Sequence, residues 1–368
     1  MAVRPPFRAD HVGSLLRPAA LQSARAAFAA GQIDAAALAR AEDAAISEAA
    51  RRQRDIGLPA VTDGEFRRSW WHLDFLAGFE GLERCALDEG VAFADRPTRA
   101  EGIRVSGQIR CSEHPMVAHF AYLRDCTPAL AKLTIPAPSA LYARPVPLPV
   151  DAAVYPERTA LMDDLGRAYA QAVREFAAAG CRYLQLDEVF IAMLCDLKYR
   201  QQMQARGDDP QTLLGQHVRL INTAVAAAPE DMTVTLHLCR GNYRSTWMGE
   251  GSYESVADVL LNEVNVDGFF LEFDDERSGG FEPLRLLPRG RRAALGLVTT
   301  KHGDLESRDH LMRRIEAAAR FADIDQLCLA PQCGFASTEE GNRLTEKAQW
   351  TKLERIVEVA DAVWGLER

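Results

Sequence analysis

Thr233-Val-Thr-Leu-His237-Leu-Cys239-Arg240-Gly-Asn242 begins as a run of β-branched and aliphatic residues and ends in two soft metal ligands one residue apart. A strand repeats its side-chain direction every second residue, so His237 and Cys239 point the same way at the end of a buried strand. Imidazole beside thiolate suits Zn²⁺. Taken by itself, such a pair is more often a buried cysteine beside a hydrogen-bonded core histidine. The other candidate ligands decide between the two readings, and their positions depend on the flanking strands.

Downstream, Gly268-Phe-Phe-Leu-Glu272 reads as a strand, Arg292 to Val298 as the next, and Gln326 to Gly334 as the last with its exit loop. Upstream lie His11-Val-Gly-Ser14, Ala60 to Glu65, Lys132 to Pro138 and Tyr183 to Glu188. Helical patterns fall between them over Pro18–Ala30, Asp34–Ile56, Pro156–Ala179, Gln211–Ala228, Tyr253–Glu263 and Leu305–Phe321, and Thr338–Trp364 closes the chain. Strands alternating with helices in this way predict an α/β fold, a (β/α)₈ TIM barrel. An open doubly wound sheet is the competing architecture. It calls for a Gly-x-Gly-x-x-Gly turn after the first strand, which this sequence lacks. Residues 66–130 are irregular, with one alternating run at Ile103–Ile109. They read as an insertion with a small hairpin, after the second strand of a single catalytic domain spanning 1–368.

Composition bounds the function. With 48% hydrophobic and 26% charged residues in 368, the chain is of ordinary globular type. A net charge of −9 argues against nucleic acid or an anionic membrane as partner. No apolar run is long enough to span a bilayer, and the N-terminal residues show no signal segment. The eight cysteines are scattered, without a disulfide framework, which points to a reducing, cytoplasmic setting. Oligomeric state is not legible.

In a barrel of this type the site lies where the strands end. His237 and Cys239 end the fifth strand, Glu272 the sixth, and Cys333 follows the eighth. These four donors suffice for a tetrahedral Zn²⁺. Read singly, Glu272 is a solvated carboxylate beside Asp274, Asp275 and Glu276, and Cys333 a loop thiol; agreement at three strand ends favours the metal. A thiolate-rich zinc activates water poorly, but it can hold a thiol substrate as thiolate, still able to attack an alkyl carbon. Ser14, Glu65, Asp187 and Glu188 stand at other strand ends. The acids could bind a substrate ammonium and Ser14 a carboxylate, or these residues could cap helices and pair with Arg17, Arg67 or Arg68.

The chain then resembles the catalytic barrel of cobalamin-independent methionine synthase and its short single-barrel homologues. The resemblance runs from His11-Val-Gly-Ser14 to Cys333-Gly334 and is most specific at His237-x-Cys239, Glu272 and Cys333. It implies a zinc held by His237, Cys239, Glu272 and Cys333. It also implies homocysteine binding by Ser14 (carboxylate) and by Glu65 and Asp187 (amine), in Asp63-Gly64-Glu65 and Leu186-Asp187-Glu188. The expected reaction is methyl transfer from a methyltetrahydrofolate-like or other donor to the homocysteine thiol, giving methionine. The sequence departs from the family in two places. Tyr142 stands where the family stacks the pterin on a Trp, and Lys301 and His302 fall near the family's proton-donating His. A relative that opens epoxides with coenzyme M gives the alternative, an alkyltransferase acting on a sulfonated thiol, with Arg17, Arg240 and Arg244 as candidate sulfonate ligands.

Overall fold

The structure of the protein, a computed structural model, describes residues 4–93, 96–144 and 148–365. Its strands are β1 (Ala60–Val61), β2 (Glu80–Ala86), β3 (Ala92–Phe93), β4 (Arg96–Pro97), β5 (Glu101–Arg110), β6 (Leu130–Pro136), β7 (Tyr183–Glu188), β8 (Thr233–Leu238), β9 (Gly268–Glu272), β10 (Arg292–Val298) and β11 (Leu327–Pro331). Seven form one parallel sheet in the order β1-β6-β7-β8-β9-β10-β11. The sheet curls into a barrel of the (β/α)₈ type. β7 and β8 are buried along their whole length, as expected of strands covered on both faces.

The first expected strand, His11–Ser14, is reduced to one parallel bridge, Ala9 to Leu329. The physical reason is Gly13, at φ +145°, a conformation closed to a regular strand; a Cβ there would meet Thr134 Oγ1 at 2.7 Å and Glu65 Oε1 at 2.9 Å. Side chains hold this segment in the eighth place instead. Thr62 Oγ1 donates to Gly13 O (2.7 Å), while Thr134 Oγ1 (3.1 Å) and Gln185 Nε2 (2.8 Å) donate to Val12 O. Lys132 Nζ reaches His11 O (2.5 Å) and Asp10 Oδ1 (3.1 Å), with both charged side chains buried.

The helical layer follows from period and caps. In Arg158–Ala178 the buried set Leu161, Leu165, Tyr169, Val173 and Phe176 lies on one stripe. Asp209 caps Pro210–Val225, and Pro210 sits in its first turn, where a missing N–H costs nothing. The closing helix starts at Glu346, capped by Thr345, not at Thr338. Residues 338–345 instead fold over the barrel mouth, where Trp70 bridges Thr338 and Arg17 donates to Thr338 O (3.2 Å).

Between β1 and β6, the antiparallel pair β2–β5 is the expected hairpin. The last part of that segment is regular, however. Met116–Asp125 is a helix that buries Met116, Phe120 and Leu123. No helix among the described residues is long and apolar enough to cross a membrane.

Candidate metal centre and substrate cavity

Register sets the centre. β7 and β8 pair Asp187 with His237, so the two side chains project together from neighbouring strands. Asp187 Oδ1 lies 3.0 Å from His237 Nδ1 and also accepts from Gln185 Nε2 (2.8 Å). This carboxylate contact fixes Nδ1 as a protonated nitrogen and turns Nε2, 3.4 Å from Gln332 O, toward the two cysteines, the nitrogen a metal would take. Cys239 follows β8 by one residue and Cys333 follows β11 by two. One donor atom from each of His237, Cys239 and Cys333 lies within 4.8 Å of the other two, and all three residues are buried. Neither cysteine is in a disulfide.

The protonation of the cluster is shared. The Cys239 thiol holds Cys333 well below the usual thiol range; burial opposes this, and His237 adds to it. Two soft sulfurs and a carboxylate-oriented imidazole fit Zn²⁺, and loading would release the shared protons.

Glu272 stands apart from that trio. It is fully buried; Oε2 accepts the Arg240 N–H (2.7 Å), while Oε1 accepts from Arg277 (2.5 Å) and Lys301 (3.3 Å). Burial pushes its pKa up, but Lys301, Arg277 and Arg240 prevail and hold it down to about 2.

The trio faces a cavity that Ser14, Glu65 and Asp187 also line. Ser14 Oγ accepts from Ala336 N (3.3 Å) and packs on Gly334, where a Cβ would fall 1.9 Å from it; only glycine admits this approach. Glu65 is buried against Arg68, and burial, ahead of that pairing, raises its pKa to about 7.

Other expected site residues lie elsewhere. Tyr142 hydrogen-bonds His217 Nδ1 (2.7 Å) in an adjacent cleft that it shares with Tyr155 and Arg158. Lys301 is buried, donating to Asp274 (2.7 Å) and Glu272. His302 is exposed beside Asp304, at 3.3 Å. None of the three is among the described residues that line the metal cavity. Arg17 is spent on the carbonyls of Ala336, Thr338, Glu65 and Arg68. Arg240 is spent on those of Gly251, Glu272 and Ser278. Arg244 is solvent-exposed.

Sequence reasoning gave no role to Trp70, Trp71, His72, Asn242 or Arg144, which also line the cavity. Four of them come from loops without periodicity. Asn242 did carry a signal, closing the opening stretch three residues after Cys239; its Nδ2 donates to Gly334 O (2.9 Å).

Asp187→Asn should keep the fold but misorient His237. Zinc affinity is expected to fall roughly 10–100-fold, as when other carboxylate partners of metal-bound histidines are lost. Competition with a zinc chelator measures it; an unchanged affinity would deny Asp187 this role.

A parallel barrel whose strand exits bring one imidazole and two thiols into a common cavity defines a class, the barrel proteins with a candidate His/Cys/Cys metal site at the mouth. Within that class the chain belongs to the cobalamin-independent synthase catalytic domain family, whose model matches residues 7–362. It is 46% identical to the uncharacterized proteins YxjH and YxjG of Bacillus subtilis (strain 168), matched over 98% of this chain and 95% and 96% of theirs. A methionine synthase of Saccharolobus islandicus is 22% identical over 94% of this chain and 92% of its own. Among solved structures, a candidate vitamin-B12 independent methionine synthase from Listeria monocytogenes matches with TM-score 0.78 and 34% identity, over 98% of both chains. A B12-independent methionine synthase from Shewanella sp. W3-18-1, solved with selenomethionine, shares the fold at TM-score 0.73 and 20% identity, over 97% of both chains.

Proposed function

We propose that the protein is a zinc-dependent thiol methyltransferase whose acceptor is homocysteine and whose product is methionine. One observation carries the reading: His237, Cys239 and Cys333 meet within 4.8 Å in the cavity that Ser14, Glu65 and Asp187 line. Selenomethionine in the Shewanella relative is consistent with an amino-acid product of this shape.

His237, Cys239 and Cys333 would hold the ion, with Glu272 as fourth ligand. Zn²⁺ supplies the Lewis acidity that keeps a bound thiol deprotonated at neutral pH. Glu272 is suited to be the ligand that yields, because Arg277, Lys301 and the Arg240 amide already offer its carboxylate another berth. Asp187 keeps Nε2 of His237 aimed at the cluster. Glu65 and Asp187 take the substrate ammonium; a cation there would also draw Glu65 into its charged form. The Ser14 hydroxyl takes the substrate carboxylate. Lys301 or His302 would assist the leaving group, and Tyr142 would meet the donor from the adjacent cleft. The whole chain acts as one cytoplasmic catalytic unit, with residues 66–130 supplying a cavity wall through Trp70, Trp71 and His72.

Calorimetric titration of the zinc-loaded protein with L-homocysteine and with coenzyme M tests the acceptor. Homocysteine binding alone supports the amino-acid pocket. Preference for coenzyme M would retain the metal chemistry and move the substrate to sulfonated thiols. In the same assay Glu65→Gln should retain zinc and weaken homocysteine roughly tenfold or more, as for loss of a charged hydrogen bond. Equal affinity would remove Glu65 from the amine site.

A further inference from the structure

The metal cavity is also lined by the segment before β2 and the loop after β6. His72 is buried there at 2% exposure, and neither ring nitrogen has a hydrogen-bond partner. Its ring lies 4.6 Å from that of Trp71, tilted, and 6.0 Å edge-on from that of Trp70, while neither nitrogen meets a partner among the described residues. Arg144 lines the same cavity and is half-buried. No hydrogen bond or ion pair joins it to the described residues, whereas Arg17, Arg68, Arg240 and Arg277 are all engaged.

A half-buried guanidinium with no partner among the described residues is poorly compensated, and a buried imidazole with two unmade hydrogen bonds is costly. A single ligand group would relieve both costs. Arg144 offers a planar fork of donors, the geometry that suits carboxylate, sulfonate and phosphate oxygens. Burial, and after it the Arg144 charge, keeps His72 neutral, so it can supply one N–H to the same group.

Position says which substrate carries that group. Arg144 also borders the open cleft of Tyr142, Tyr155 and Arg158. A group bound there would approach from that cleft, whereas Ser14 rests on Gly334, the residue after Cys333.

We propose that Arg144 and His72 form a binding site for an anionic group on the methyl donor, separate from the site of the thiol amino acid. The inference rests on the methyl-transfer reading only for the identity of the molecule bound.

The test is calorimetric titration of the zinc-loaded protein with propionate, ethanesulfonate and inorganic phosphate, each with and without saturating L-homocysteine. We expect saturable binding of at least one anion, undisturbed by homocysteine, and the one that binds identifies the group. Arg144→Gln should weaken it about tenfold or more, the loss expected for a charge-assisted hydrogen bond. Arg144→Lys should restore part of the affinity, and His72→Phe, which keeps a ring against Trp71, should cost severalfold. Homocysteine affinity should change less than about twofold in Arg144→Gln.

Absence of saturable binding by all three anions overturns the proposal. So does equal binding by Arg144→Gln, or displacement by homocysteine, which would make this the thiol substrate's own carboxylate site. If homocysteine fails to bind the wild-type protein, the functional reading falls while the anion titrations still decide the site.

Discussion

Cys239→Ser is expected to purify without stoichiometric zinc and to show no methyl transfer above background. A serine hydroxyl stays protonated at neutral pH and is a hard, poor ligand for a borderline-soft ion, so the site falls from two sulfurs to one. Removing an orienting partner already costs roughly 10–100-fold in metal affinity, and losing a ligand itself should cost more. The rest of the centre should stand. His237 keeps its Asp187 partner, and Cys333 has Ser337 Oγ at 3.7 Å. Metal analysis with far-UV circular dichroism separates loss of zinc from loss of fold. Full zinc in a folded Cys239→Ser protein would remove Cys239 from the ligand set. Full activity without zinc would sink the zinc mechanism itself.

Lys132→Met should produce the largest loss of stability. Lys132 and Asp10 form an ion pair shut away from solvent in the barrel interior, and Lys132 Nζ also holds His11 O. Burial lowers the lysine pKa, and Asp10 resists this. Breaking such a pair from one side typically costs about 3–5 kcal/mol, because the surviving charge stays buried without its partner. Asp10 would retain hydrogen bonds from Phe7 N, His11 N and Tyr183 Oη at 2.8–3.1 Å, which places the expectation near the lower figure. Urea unfolding of the zinc-loaded proteins measures the difference. Adding Asp10→Asn should recover part of it, since the orphaned charge is then gone. A change below about 1 kcal/mol in the single variant would mean that water or a local shift replaces the lysine.

Most of the barrel was legible because its strands are short apolar runs separated by amphipathic helices, and burial on both faces writes such runs plainly. His237, Cys239 and Cys333 could be placed together because strand ends in a barrel converge regardless of their separation in sequence. The first strand misled for a local reason. His11-Val-Gly-Ser has strand composition, yet Gly13 at φ +145° breaks the ladder. The closing helix was read too early because nothing in Thr338–Leu344 shows that Arg17 and Trp70 pin this stretch across the barrel mouth. Met116–Asp125 was overlooked because it buries only three large apolar residues. His72 and Arg144 were invisible for a different reason. Their significance lies in having no partner among the described residues, and a missing partner leaves no trace in spacing or composition.

The segment that replaces the first strand also says something about the order in which this molecule is completed. Residues 8–15 find partners 49 to 322 residues further along, in Thr62, Gly64, Lys132, Thr134, Gln185, Leu329 and Ala336. This segment can therefore settle only after the last strand has been made. Contacts of such long range are the slow ones to form. Until they form, Ser14 has no Gly334 to rest on, so a chain that has already gathered His237 and Cys239 still lacks one wall of the cavity.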